Sequence, residues 1–230
     1  MPRRARLTLP GIAWHIIQRG NNRTRCFYAD EDYRRYLDLL RVQAQAHGCA
    51  VHAYVLMTNH VHLLLTPERG DSVSLMMKHL GQRYVQYVNR TYLRTGTLWE
   101  GRFRSCLAQP AGYVLSCYRY IELNPVRAGM LEHPADYPWS SYRTNGQGVV
   151  DAMVTPHAEY RALGGSDRAR QCAYRGLFRS HLDPELIDQI RIATNGNYVL
   201  GNDQFREYLA AVLRRRVAPG VAGRPRKRRE

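Results

Sequence analysis

Two apolar runs, Cys49 to Met57 and His60 to Thr66, are separated by only Thr58-Asn59. A connection that short turns one strand back on the next, so the pair reads as an antiparallel hairpin. Each side of the hairpin carries a long helical pattern. Before it, Asp30 can cap a helix whose apolar positions Tyr33, Tyr36, Leu37, Leu40 and Ala44 recur at helical spacing, with Gly48 as the stop. After it, Asp71 or Ser72 opens a second helix, with Val73, Met76, Met77, Leu80, Tyr84, Tyr87 and Val88 as its buried stripe to about Asn89. Residues 7–19 read as a strand before the first helix, and Thr97 to Ala108 as a strand after the second. The order β-α-β-β-α-β predicts an α+β fold: a ferredoxin-like antiparallel sheet with both helices on one face. The opposite face is left for another element.

The next candidate is a helix from Pro110 or Ala111 to Leu123, halted by Asn124-Pro125. On it Tyr113, Cys117, Tyr120 and Asn124 share one face. The hairpin meanwhile carries His60-Val61-His62. Side chains at i and i+2 of a strand point the same way, about 7 Å apart, so both imidazoles can converge. A tyrosine-bearing helix across the open face brings Tyr120 and Asn124 within reach of that pair. Two imidazoles and an amide oxygen form an open nitrogen and oxygen site suited to Mg²⁺ or Mn²⁺. A tyrosine phenol, with an ordinary pKa of about 10, needs a metal, a base or positive surroundings before it attacks. His15, two strands' worth of pattern away on residues 7–19, is a candidate to orient a ligand from behind.

Charge narrows the partner. The net charge is +15, and among 34 basic residues only Lys78 and Lys227 are lysines. Guanidinium forks suit phosphate oxygens, which favours a nucleic-acid partner. Arg19, Asn21, Asn22 and Arg23 form one candidate DNA-binding loop. Trp99, Arg102, Phe103 and Arg104 form another, with the two arginines projecting together from the fourth strand and the aromatics stacking on bases. From Arg214 to Glu230 there are eight basic residues and one acid, +7 of the total. This stretch, including Arg224, Arg226, Lys227 and Arg228, reads as a mobile, phosphate-tracking arm. Residues 146–213 read as a mainly helical extension with a helix after Asp183-Pro184, a turn at Asn195-Gly196-Asn197 and a helix from Asp203 to Arg216. The expected division is therefore 1–145, 146–213 and 214–230. Five cysteines without a C-x-x-C suggest reduced thiols, and no run approaches the ~20 apolar residues of a membrane span. A cytoplasmic location is expected.

Several stretches together resemble the single-tyrosine HUH transposases, in particular the REP-associated tyrosine transposase branch. They are Trp14-His15-Ile16 through Arg19-Gly20-Asn21, the segment from Leu56 to Leu64 with its H-V-H, Leu98 to Arg104, Tyr120 to Gly129, and Pro138-Trp139-Ser140-Ser141-Tyr142. The resemblance implies that His60, His62 and Asn124 hold a divalent metal and that Tyr120 is the nucleophile. It also implies cleavage and joining of single-stranded DNA near hairpins through a 5′-phosphotyrosine, leaving a free 3′-hydroxyl. Tyr118 with Glu122 is a competing pair on the same helix. The rival functions are a non-catalytic nucleic-acid-binding module and a metal-dependent phosphodiesterase that activates water. The chain can act as a monomer or a homodimer, and its sequence does not choose between them.

Overall fold

The computed structural model describes residues 5–220. β1 (Ala13–Arg19), α1 (Asp30–Ala46), β2 (Cys49–Met57), β3 (His60–Pro67), α2 (Ser72–Thr91) and β4 (Arg104–Ala108) follow one another in the expected order. These four strands lie in the order β2-β3-β1-β4 and pair antiparallel with one another, with the hairpin turn at Thr58-Asn59. This is the split arrangement that two β-α-β crossovers impose when each leaves room for a strand between its ends.

α1 and α2 cover one face. Trp14, Ile16, Val51, Leu56, Val61, Leu63 and Leu65 from the strands meet Tyr36, Leu40, Met76, Leu80 and Tyr84 from the helices. Each such side chain contributes about 1.5–3 kcal/mol on burial. The start of α1 is held by Asp32, whose carboxylate accepts from Tyr28 N and Ala29 N and from the hydroxyls of Tyr87 and Tyr92. No described helix is long and apolar enough to cross a membrane.

The other face carries the tyrosine helix, α3 (Pro110–Glu122). Several strand residues there are small, and Ala13, Ala53, Cys106 and Ala108 share a core with Val114, Cys117, Tyr118 and Ile121. Small side chains let the helix approach closely. Gly112 at φ +80 kinks its first turn, so the straight part begins after it. α3 ends at Glu122 with Leu123 as its cap, within a residue of the expected stop, but a further short helix follows at once. Pro125 sits in the first turn of that helix, α4 (Asn124–Arg127), where its missing N–H costs nothing.

Further details differ from expectation. β1 begins at Ala13 rather than residue 7, and β4 at Arg104 rather than Thr97. Gly96 and Gly101, both at positive φ, break the segment before β4, so Arg102 and Phe103 lie off the strand. The extension also adds a strand. After α5 (Tyr142–Gln147), α6 (Ala158–Arg161), α7 (Asp167–Gly176) and α8 (Pro184–Gly196), β5 (Val199–Leu200) pairs parallel with β4, and α9 (Asp203–Leu213) follows. α5 runs across the 145/146 boundary drawn from sequence. Finally, the first residues of the basic arm are docked rather than free. Arg215 donates to the carbonyls of Ala5 and Arg6, and buried Val217 accepts from Val199 N.

Candidate active site on the open face of the sheet

The β1–β3 register sets Arg19 opposite His60, Ile17 opposite His62 and His15 opposite Leu64, so these six side chains share a face. α3 lies on that face and delivers Tyr120. Its ring is centred 5.7 Å from His62 and 5.5 Å from His15, edge-on to both. The rings of His60 and His62 are 5.1 Å apart. Asn124, the first residue of α4, lies near enough to His60 for the two side chains to interact. Tyr120, His60, His62, Asn124 and His15 are therefore gathered in one place.

Each imidazole is held from behind. His60 Nδ1 is 2.6 Å from Asn59 Oδ1, while Asn59 Nδ2 donates to the Arg23 carbonyl at 3.0 Å and so fixes which end of the amide faces the ring. His62 Nδ1 is 2.9 Å from His15 Nε2. Each ring engages a neighbour through Nδ1, so Nε2 is the nitrogen through which it could hold a ligand. Burial, with Arg19 nearby, pulls His60 down to about 4, and burial pulls His15 down to about 3 and His62 well below its ordinary value. The neutral imidazoles that a cation requires are the favoured forms. Among the described residues no three His, Cys, Asp or Glu side chains gather as a metal cradle. Two imidazoles plus the Asn124 amide nevertheless fit an open site for a hard divalent ion, which would complete its shell with water and substrate oxygens.

Arg127 was not anticipated. Its guanidinium carbon lies 3.9 Å from the centre of the Tyr120 ring. A cation there can offset negative charge that develops on the phenolic oxygen during attack. The competing pair points elsewhere. Tyr118 is fully buried and its hydroxyl accepts from His157 N. Glu122 accepts from Ser141 Oγ, Asn145 Nδ2 and Tyr174 OH inside the second core. Neither can join the histidines.

Beside the site, Arg6, Arg19, Arg23, Arg102 and Arg104 line a cavity of about 450 Å³ together with Ile17 and the Asn195–Asn197 turn. Four of the arginines expected to meet DNA thus converge there, with Asn21 and Asn22 on the adjoining 3-10 turn. Trp99 and Phe103 are corrected. Trp99 is 6% exposed and packs edge-on to Tyr36 and tilted against Tyr84, while Phe103 is 7% exposed under the Arg6 guanidinium. Their ring faces belong to the core and are not free to stack on bases. Arg224, Arg226, Lys227 and Arg228 lie outside the described residues.

The chain has recognisable relatives. Residues 8–124, half of the chain and all of its gathered site up to Asn124, match the model of the family described as Transposase IS200 like. A Haemophilus influenzae protein provisionally named REP-associated tyrosine transposase is 27% identical over 114 residues, covering 45% of this chain. The chain spans 62% of that relative's length. A solved REP-associated tyrosine transposase bound to a REP hairpin superposes with a TM-score of 0.56 at 18% identity, covering 68% of this chain and 93% of that one, and so shares the fold. The chain belongs to the IS200-like transposase family.

Proposed function

We propose that this protein cuts and rejoins single-stranded DNA beside a hairpin, using Tyr120 as nucleophile. The observation that carries the reading is the placement of the Tyr120 ring 5.7 Å from His62 on the face that also holds His60, Asn124 and Arg127. The phenolic oxygen forms a bond to phosphorus and the bond from phosphorus to the 3′-oxygen breaks. The phenol proton leaves to solvent, and the released 3′-oxygen takes one up. The bond energy is retained in a 5′-phosphotyrosine, so a second 3′-hydroxyl can reverse the step. Arg127, set against the ring, offsets the negative charge that develops on the phenolic oxygen as its proton leaves. Mg²⁺ or Mn²⁺ held by His60, His62 and Asn124 would polarise the phosphoryl oxygen. Arg19, Arg23, Arg102 and Arg104 track the strand's phosphates, with the basic arm adding sequence-independent affinity. Residues 1–145 carry the chemistry in this reading. The H. influenzae relative and the hairpin-bound structure support a REP-type hairpin as the DNA partner, and a cytoplasmic setting follows from that partner.

The test is incubation with a labelled single-stranded hairpin and Mn²⁺, followed by denaturing electrophoresis. A covalent protein–DNA adduct is expected. It should vanish in Tyr120→Phe, persist in Tyr118→Phe and vanish in the wild type when chelator removes the metal. Cut DNA without an adduct would point to activated water, and retention without cutting to a binding module; either overturns the proposal.

A further inference from the structure

We infer that Thr194, on α8 of the C-terminal extension, is a positioning residue for the reaction: it sets the proton positions of His15 and His62 so that His62 offers an unprotonated Nε2 to the site. The inference rests on His62 being a metal ligand, and concerns a residue beyond the segment that defines the family.

The proton order follows from heavy-atom distances. Thr194 Oγ1 is 2.7 Å from the Ile190 carbonyl, which has no proton to give, so the threonine hydroxyl is the donor there. Thr194 Oγ1 must then accept from His15 Nδ1 at 2.9 Å. A neutral His15 protonated on Nδ1 has a lone pair on Nε2, and His62 Nδ1, 2.9 Å away, must donate to it. That leaves the His62 proton on Nδ1 and a lone pair on Nε2. The reverse order would bring the Thr194 and Ile190 oxygens together with no proton between them, and would put a proton on His62 Nε2, where no metal could bind. Cys106 Sγ, 3.3 Å from Thr194 Oγ1, fills the hydroxyl's other accepting position as a thiol donor.

A threonine that bonds back to the carbonyl four residues earlier is common in helices and usually does no more than satisfy itself. Here the same oxygen ends a buried relay across three elements, from α8 to β1 to β3. The position of α8 is independently fixed against β4, because Asn197 Oδ1 accepts from Ser105 N and Leu200 O accepts from Gln109 N. Thr194 is 3% exposed, so water does not take over the hydroxyl's role.

Two measurements on the full chain test this. Two-bond ¹H–¹⁵N NMR of ¹⁵N-histidine-labelled, metal-free protein reads the tautomers directly. We expect His15 and His62 both protonated on Nδ1 in wild type and in Thr194→Ser, and His62 redistributed toward the Nε2-protonated form in Thr194→Val. Titration with Mn²⁺, followed by the EPR signal of free Mn²⁺, should show about 10- to 100-fold weaker binding in Thr194→Val and near wild-type binding in Thr194→Ser. His62 protonated on Nε2 in the wild type overturns the inference. So does a folded Thr194→Val that binds Mn²⁺ within twofold of wild type. Should the valine variant not fold, the wild-type tautomers decide alone. A wild type that binds no Mn²⁺ would remove the metal-site reading, a result distinct from a failed tautomer assignment.

Discussion

Tyr120 and Glu122 stand two residues apart on α3 and face different worlds. Tyr120 looks onto the histidines under Arg127, while Glu122 is fully buried and accepts three hydrogen bonds. Burial lifts the Glu122 carboxyl from 4.5 to about 7, against the pull of its donors. The folded protein therefore binds this proton more tightly than the unfolded chain. The stability tied to it is complete below about pH 4.5 and is lost as pH rises toward 7. The shift corresponds to roughly 3 kcal/mol. In Glu122→Gln the amide oxygen can still accept from Ser141 and Asn145, and the pH dependence disappears. Urea denaturation at pH 5 and pH 8 should show the wild type losing roughly 2–3 kcal/mol relative to this variant; parallel pH profiles would refute the assignment. At Arg127, replacement by glutamine should slow single-turnover adduct formation about 10²-fold, with DNA affinity changing far less. The histidine pair and the Tyr120/Asn124 spacing were legible because both follow local periods, two along a strand and about four along a helix. Arg127 was not, since the chain departs from helix at Leu123 before α4 begins. Nor was Thr194, whose partner His15 is 179 residues away.

At the scale of elements, the strands and helices from β1 to α3 were readable wherever one periodicity ran for several turns or residues. The failures have local causes. The stretch before β4 looked like a continuation of it because Trp99, Phe103 and the arginines alternate, but Gly96 and Gly101 let the backbone turn and fold both aromatics into the core. β5 has two residues and exists through pairing with β4, so nothing local announces it. The junction between α8 and β5 turns on Asn197, which sits at φ +53 and whose Oδ1 accepts from Ser105 N at 3.1 Å. Asn197→Ala loses both the tolerance for this conformation and the tie to β4. It should destabilise the fold by roughly 2 kcal/mol, the sum of a left-handed backbone cost and a lost hydrogen bond. Asn197→Gly keeps the conformation and should cost only the second part, roughly 1 kcal/mol. Equal melting shifts for the two would mean that strain plays no part there.

Across the whole molecule the excess positive charge is unevenly committed. Among the described residues, ion pairs engage Arg34, Arg69, Arg170, Arg191 and Arg206, mostly with acids three or four positions away on exposed helices. Arg19, Arg23, Arg102 and Arg104 enter no ion pair among the described residues and line the cavity beside Tyr120's site. Arg104 is aimed by Asn195 Oδ1 from the extension at 2.9 Å, so the 146–213 region shapes this surface as well as the histidine relay. Unpaired guanidiniums around a concave surface concentrate positive potential, and a strand bound there releases counterions in proportion to the phosphates engaged. For single-stranded DNA each neutralised phosphate adds about 0.7 to the slope of log affinity against log salt. Replacing Arg23, Arg102 and Arg104 together by glutamine should therefore flatten the slope by about 2. Arg19 is left in place because its charge also acts on His60. The affinity loss should be large at low salt and small at high salt, and the adduct should still form once DNA is saturating. A triple variant that binds a single-stranded hairpin with an unchanged slope would show that the strand runs over a different surface.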